Sequence, residues 1–337
     1  MKNESGNKGL FVISLDLELL WGVWDVTSKD APYSENIKGV KEVIPALLKI
    51  FDAYQVKATF ATVGFLFAKN KEELLASLPA HKPAYSNNGY NVYENEISSI
   101  GNDERDDPLH FGYPLLQQVI NSPHEIGTHT HSHYYCLEDG QDAISFEADL
   151  QAANKIAKEK NIQLESFVFP RNQVNNEYLP ILLSNGIKTY RGNPTSWIYK
   201  PRHFAAEVFF IRLCRLLDAY LPLSGMNGHI ITDEPGKPVN IAASRFMKPW
   251  FKPLSWLEPL RIYRIKQEMT YAAKNNKLYH LWWHPHNFGK NLEKNMSNLN
   301  SILLHFQYLN RKYNFSSCSM NEAAAITATG ITCNPKK

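Results

Sequence analysis

His124-Glu-Ile-Gly-Thr-His-Thr-His-Ser-His-Tyr-Tyr-Cys136 packs four of the chain's twelve histidines into ten residues, a density that needs a reason. His129 and His133 are four apart. One helical turn or a tight loop therefore sets both imidazoles on one side, which is how a chain offers two nitrogens to a divalent metal. His131, between them, falls at the wrong helical angle to join them. A surface histidine patch or a polar core would account for the stretch equally well, so the elements on either side have to decide.

Working outward, apolar strand patterns and helical patterns alternate from end to end. Leu10–Leu15 reads as a buried strand ending in Asp16-Leu17-Glu18, and residues two apart on a strand share a face. Val56–Val63 is a second strand, closed by Gly64. The histidine stretch ends a third. Leu164–Phe169 is a fourth, ending in Pro170-Arg171-Asn172, and Ile187–Tyr190 a fifth, ending in Arg191. Val239–Phe246 reads as a sixth. Leu278–Trp283 is a seventh, ending in His284-Pro285-His286, and residues 314–319 read as a last strand. Helical spacing marks 40–51 despite Pro45, about 65–78, 115–120, 143–160, 177–185, 204–220, 254–276 and 292–313. The apolar 204–220 segment is expected to pack into the core, because its polar face is too thin for a membrane surface.

Such alternation predicts a largely parallel sheet of seven or eight strands, as a barrel or an open doubly wound sheet. In parallel α/β folds ligands bind beyond the carboxyl ends of the strands. Asp16, Glu18, His129, His133, Arg171, Arg191 and His284 all follow strands, so they converge on one rim, which favours metal over a chance cluster. Residues 1–337 read as one domain. The Pro- and Asn-rich stretch 79–113 is an inserted loop of the kind that forms lids, and 200–277 adds helical elaborations.

Composition narrows the class. With 36 Lys and Arg against 33 Asp and Glu, the charge is too balanced for nucleic acid or an anionic membrane surface. No apolar stretch is long enough to span a bilayer, and the short polar start is unlike a signal peptide. Cys136, Cys214, Cys318 and Cys333 are far apart without a CxxC, as in a reduced cytoplasmic protein.

Two histidines and a carboxylate leave coordination positions open, the form of a catalytic site. Zn²⁺ is the default ion, and other first-row divalent ions suit the same ligands. A second carboxylate there can take a proton from water at the metal, and a histidine opposite can protonate a leaving group. This fits hydrolysis of an amide or ester.

These residues resemble the NodB-homology polysaccharide deacetylases over most of the chain. The points of likeness are the paired carboxylates Asp16 and Glu18, Ala58-Thr59-Phe60 with Gly64, Glu125-Ile126-Gly127 before His129 and His133, and Leu281-Trp-Trp-His284. The resemblance implies an irregular, incomplete (β/α) barrel and hydrolytic removal of an acetyl group from an N-acetylated sugar or glycan conjugate. By it, Asp16 acts as general base, Glu18, His129 and His133 bind metal, and His284 is the general acid. The sequence departs from the family in two places. Leu17 separates carboxylates that the family keeps adjacent, leaving open which binds and which takes the proton. Val168 stands where the family carries an arginine, so Arg171 or Arg191 is expected to orient the base. Asn172, Trp283 and His286 complete the candidate substrate-binding set, with His286 an alternative acid. Two other readings stand beside the deacetylase: an amidohydrolase on a small cyclic amide such as a ureide, and a non-catalytic sugar-binding relic.

Overall fold

The computed structural model describes residues 8–329. Its sheet contains β1 (Leu10–Leu17), β2 (Ala58–Thr62), β3 (Glu125–Thr128), β4 (Ser166–Val168), β5 (Thr189–Arg191), β6 (Val239–Asn240), β7 (Arg245–Phe246), β8 (Leu278–Trp283) and β9 (Ser316–Cys318). The order is β6-β5-β4-β3-β2-β1-β8-β7, with β9 beside the first half of β1, and every pair is parallel. Helices of six or more residues are α1 (Val40–Tyr54), α2 (Lys71–Ala76), α3 (Tyr113–Ile120), α4 (Ala143–Glu159), α5 (Leu179–Ser184), α6 (Phe209–Asp218), α7 (Glu258–Lys274), α8 (Leu292–Tyr313) and α9 (Met320–Thr329).

This is an irregular, incomplete (β/α) barrel. Between β5 and β8 the wall is thin. One extended segment donates from Val239, Ile241 and Ala243 to β5 and the residues flanking it, then from Ser244 and Met247 to β8. The strand expected over 239–246 is thus split into β6 and β7, because it changes partner midway.

Alternation along β1 explains what fills the barrel. Leu10 and Val12 point inward and pack with Val168, Ile241, Leu278 and with Met320 and Ala323 of α9, which plug the bottom. Ser14 and Asp16 follow on the same face. Phe11, Ile13, Leu15 and Leu17 point outward into the main core, where Phe11 meets Phe306 of α8 at 5.1 Å. The interior therefore changes from apolar at the bottom to ionisable at the top.

Two expectations, for 65–78 and 204–220, are corrected, and the loop expected over 79–113 is described with them. Residues 65–78 form a short turn at Gly64–Phe67 and then α2, which Asn70 caps by accepting from Glu73 N. Residues 79–113 hold only short helical turns before α3, and Val92, Ile97, Ile100, Leu109 and Phe111 are buried. Trp21 Nε1 donates to His110 O at 2.8 Å, so this stretch braces the site from outside. The segment 204–220 does not pack into the core. In α6 only Ile211 and Asp218 are buried, while Phe209 is 79% and Phe210 61% exposed. Amphipathic spacing fixes the angle between the two faces, not which of them the protein covers. Among the described residues no helix is long and apolar enough to cross a membrane. Cys136 and Cys214 are free thiols, and Cys333 lies outside the described residues.

Candidate active site

The His129–Tyr134 turn follows β3 and is a tight loop, not a helix. His129 N donates to Thr62 O, and Gly64 N and Phe65 N donate to the carbonyls of Thr130 and His131, stitching the turn to the end of β2. Thr130 (φ 64°) and His133 (φ 59°) take the left-handed conformation, which folds the chain back sharply enough to bring the rings of His129 and His133 to 5.0 Å between centroids. Gly64 permits the approach, since a Cβ there would lie 2.2 Å from His131 Nδ1. Asp149 of α4 holds the far side. Its carboxylate accepts from the backbone of His131 at 2.6 Å and of Ser132 at 3.1 Å. His131 points away into the fold, its Nε2 3.1 Å from Ser77 Oγ, and burial pushes its imidazole down to about 3.

His129 Nδ1 lies 2.9 Å from Val168 O, which directs the other ring nitrogen into the cup. There Glu18 Oε2 is 3.3 Å from both His129 Nε2 and His133 Nε2. Glu18 Oε1 faces the opposite wall, 3.7 Å from His284 Nε2 and 3.8 Å from His286 Nε2. Two overlapping donor groups thus share Glu18: one with His129 and His133, the other with His284 and His286. The Glu18 carboxyl occupies the space beside Gly22, where a Cβ would be 2.0 Å from Glu18 Cδ. Burial opposes ionisation of Glu18, but the imidazoles of His284, His129 and His133 around it outweigh that and hold its carboxyl well below the usual range.

Asp16 sits on the same face one pleat lower. Arg191 grips it with both arms, Nη1 to Oδ1 and Nη2 to Oδ2, each at 2.7 Å. Burial again opposes ionisation, and Arg191 with His129 and His284 wins, lowering the Asp16 carboxyl. His284 Nε2 is 3.6 Å from Asp16 Oδ2, and its Nδ1 is 3.2 Å from Asn287 Oδ1. Below lies a polar layer that the sequence reading missed. Ser14 Oγ accepts from Arg191 Nη1 at 2.9 Å and lies 2.8 Å from His280 Nε2. His280 Nδ1 reaches Ile241 O at 2.8 Å, tying the thin wall to the site. Counting back by twos from His284 along β8 gives Trp282 and His280, the signal that could have found this histidine.

The same count corrects Trp283. It faces the helical layer, fully buried between Phe51 and Phe288, and does not line the cup. Trp282 faces inward, with the Arg191 guanidinium 4.1 Å from its ring centroid. Arg171 does not reach Asp16. It pairs with Asp25 and lies 4.2 Å from the Tyr135 ring centroid. Asn172 Oδ1 accepts from Arg191 Nη2 at 3.2 Å. His286 is buried and stacked on His284 at 5.0 Å, and burial pushes it down to about 4. From His284 and Trp282 a cavity of about 480 Å³ opens outward past Asn172 and Arg171.

Carboxylates and imidazoles gathered at the carboxyl-end rim of a barrel can take and give protons and can hold a cation. Residues 30–190, just under half of the chain, match the family described as polysaccharide deacetylase. The matched stretch carries His129 and His133 but not Asp16, Glu18 or His284, whose placement rests on the geometry above. Among curated proteins none matches the sequence. The fold is similar to a structure described as a polysaccharide deacetylase from Mycobacterium smegmatis, with TM-score 0.61 and 13% identity over 98% of this chain and 96% of that one. It is also similar to Puue allantoinase, with TM-score 0.55 and 8% identity over 98% and 94%. A structure described as a polysaccharide deacetylase from Pseudomonas aeruginosa PAO1 gives TM-score 0.55 and 9% identity over 98% and 95%.

Proposed function

We propose that the protein is a metal-dependent hydrolase that removes an acetyl group from an N-acetylated sugar, in the cytoplasmic making of a surface polysaccharide or glycan. The match of residues 30–190 to the polysaccharide deacetylase family supports this reading. The observation that carries it is Glu18 Oε2 at 3.3 Å from both imidazole nitrogens. That separation is long for a charge-assisted hydrogen bond, but it fits ligands around one tetrahedral ion, which stand about 3.4 Å apart when each bond is about 2.1 Å. Glu18, His129 and His133 would therefore hold a divalent cation, Zn²⁺ first among the candidates. Bound there, the ion supplies Lewis acidity, polarising the acetyl carbonyl and making water more acidic.

The chain's own groups do the rest. Asp16 takes the proton of the attacking water at a carboxylate oxygen, and Arg191 keeps that carboxylate ionised and aimed. His284 gives a proton from Nε2 to the departing amine, and Asn287 fixes its ring. His284 suits this role better than His286, because its side chain is 24% exposed toward the cavity while His286 is sealed behind it. Water adds to the acetyl carbon, the C–N bond breaks, and acetate and a free amino sugar leave.

The test is acetate release from a panel of N-acetylated sugars by protein stripped with a chelator and reloaded with Zn²⁺ or Mn²⁺. Activity should return with metal and be absent in His129→Ala and His133→Ala. Ring opening of cyclic ureides by the same samples would favour the small-amide reading. Stoichiometric metal with no acetate from any sugar would favour a non-catalytic sugar binder.

A further inference from the structure

The cavity beside His284 has a charge that a neutral sugar does not need. Seven basic side chains line it and one acidic one, Glu207. Three of the seven are neutralised: Arg171 by Asp25, Arg215 by Glu207 and Arg245 by Glu268. Lys200, Arg202, Arg212 and Lys248 have no acidic partner among the described residues. Arg202 donates only to the carbonyls of Lys200 and Trp197, at 2.9 and 2.8 Å. Lys248 is half-buried, and burial together with Arg261, Arg215 and Arg245 lowers its ammonium pKa. Like charges held together in a concave site are stabilised by an anion between them, and guanidinium and ammonium groups together suit phosphate oxygens.

The helix that supplies Arg212 and Arg215 is α6, and its other side is bare. Phe209, Phe210, Leu213 and Leu217 project into solvent, and Leu221 and Leu223 continue the apolar surface past its end. A monomeric protein rarely leaves so large an apolar patch uncovered. The two features are one helix thickness apart, about 10 Å, which is the depth to which an interfacial helix relates headgroups to acyl chains. The charge is balanced over the whole chain but basic at this cavity, and a bilayer with anionic headgroups accepts both the apolar face and the basic rim.

We propose that the acetylated sugar is presented on a phosphate or diphosphate ester of a membrane lipid, with the phosphate among Lys200, Arg202, Arg212 and Lys248 and the outer face of α6 seated in the bilayer. This rests on the deacetylase reading for the sugar end and on the cavity and helix for the lipid end.

Two measurements test it on the metal-loaded full chain. The first is sedimentation with vesicles of phosphatidylcholine and phosphatidylglycerol. The chain should pellet with them, and Phe209→Ser/Phe210→Ser should reduce that at least about tenfold with an unchanged melting temperature. A chain that stays in the supernatant as a dimer overturns the bilayer assignment. The second measurement is binding of inorganic pyrophosphate, with acetate release from N-acetylglucosamine, its 1-phosphate, its uridine diphosphate conjugate and its polyprenyl diphosphate conjugate in vesicles. Pyrophosphate should bind, and Arg212→Gln or Lys248→Met should weaken it about tenfold. The polyprenyl form should give the highest kcat/KM. A preference for the nucleotide form overturns the lipid source, and equal rates for neutral and phosphorylated sugars overturn the phosphate site, with the deacetylase reading intact. Vesicle and pyrophosphate binding without acetate from any substrate would instead sink the deacetylase reading and leave the anionic lipid site standing.

Discussion

Leu17 keeps Asp16 and Glu18 two residues apart, and this spacing lets each carboxylate serve a different partner. Asp16 is still within β1, level with Arg191 across the barrel. Glu18 lies just past the strand end, before Leu19 turns the chain at φ 48°. Asp16→Asn should lower kcat by a factor of about 10² to 10⁴ while metal content, read by atomic absorption, stays at the level of the unaltered chain. Loss of metal in that variant would make Asp16 a ligand and reverse the assignment. Arg191→Met leaves a buried carboxylate without its cation, so urea unfolding should show a loss of about 3–5 kcal/mol along with lost turnover. Arg191→Lys should recover little, because an ammonium cannot make the paired contact with both oxygens. Arg171→Met is the control, since its carboxylate partner is Asp25 and not Asp16.

At the scale of elements, β8 and the histidine turn show two ways of aiming a side chain. In β8 alternation does it. Trp282 and His284 face the cup, and Trp283 faces the helices. Trp283→Ala should therefore cost about 3–5 kcal/mol in unfolding with little change in KM. Trp282→Ala should raise KM about tenfold with a smaller loss of stability. The reverse pattern would restore Trp283 to the substrate wall. In the histidine turn, left-handed residues and Asp149 do the aiming. Burial pushes the Asp149 carboxyl up to about 6, although hydrogen bonds from Ser132 and His131 pull against it. Because its folded pKa is above its ordinary value, the folded state binds this proton more tightly than the unfolded chain. The contribution is fully present below about pH 4 and is lost as pH rises through about 6, on the order of 3 kcal/mol in all. Asp149→Asn should remove that part of the pH slope, measured by denaturant unfolding between pH 4 and 7. An identical slope in both proteins would show that Asp149 titrates normally.

Across the whole molecule, the barrel places an apolar plug at one end and Asp16, Glu18, Arg191, His129, His133, His284 and His286 at the other. Glu18 follows β1 and the two histidines follow β3, so an ion shared by Glu18, His129 and His133 would tie two segments far apart in the chain. Chelation should lower the melting temperature, and saturating Zn²⁺ at about a hundredfold over Kd should restore about 2.7 kcal/mol. A melting temperature indifferent to chelator and metal would remove the shared ion from the account. The thin wall at Val239–Met247 belongs to this scale too. It is anchored through His280, so the histidine beneath Asp16 and His284 also ties this segment to the site.

The residue order by itself determined the alternating strands, the inward set Leu10, Val12, Ser14 and Asp16, the pairing of His129 with His133, and the convergence of ionisable groups at strand ends. These follow from local periodicity and from the rule that parallel strands present their carboxyl ends together. The choice of Trp282 over Trp283 was also legible in that periodicity. Only the tertiary structure chose Arg191 over Arg171 as the partner of Asp16, because both follow strands and only the curvature of the sheet decides which guanidinium spans the barrel. It also turned the aromatic face of α6 to solvent, because the spacing of apolar residues fixes a stripe on a helix, while its neighbours decide whether that stripe is covered.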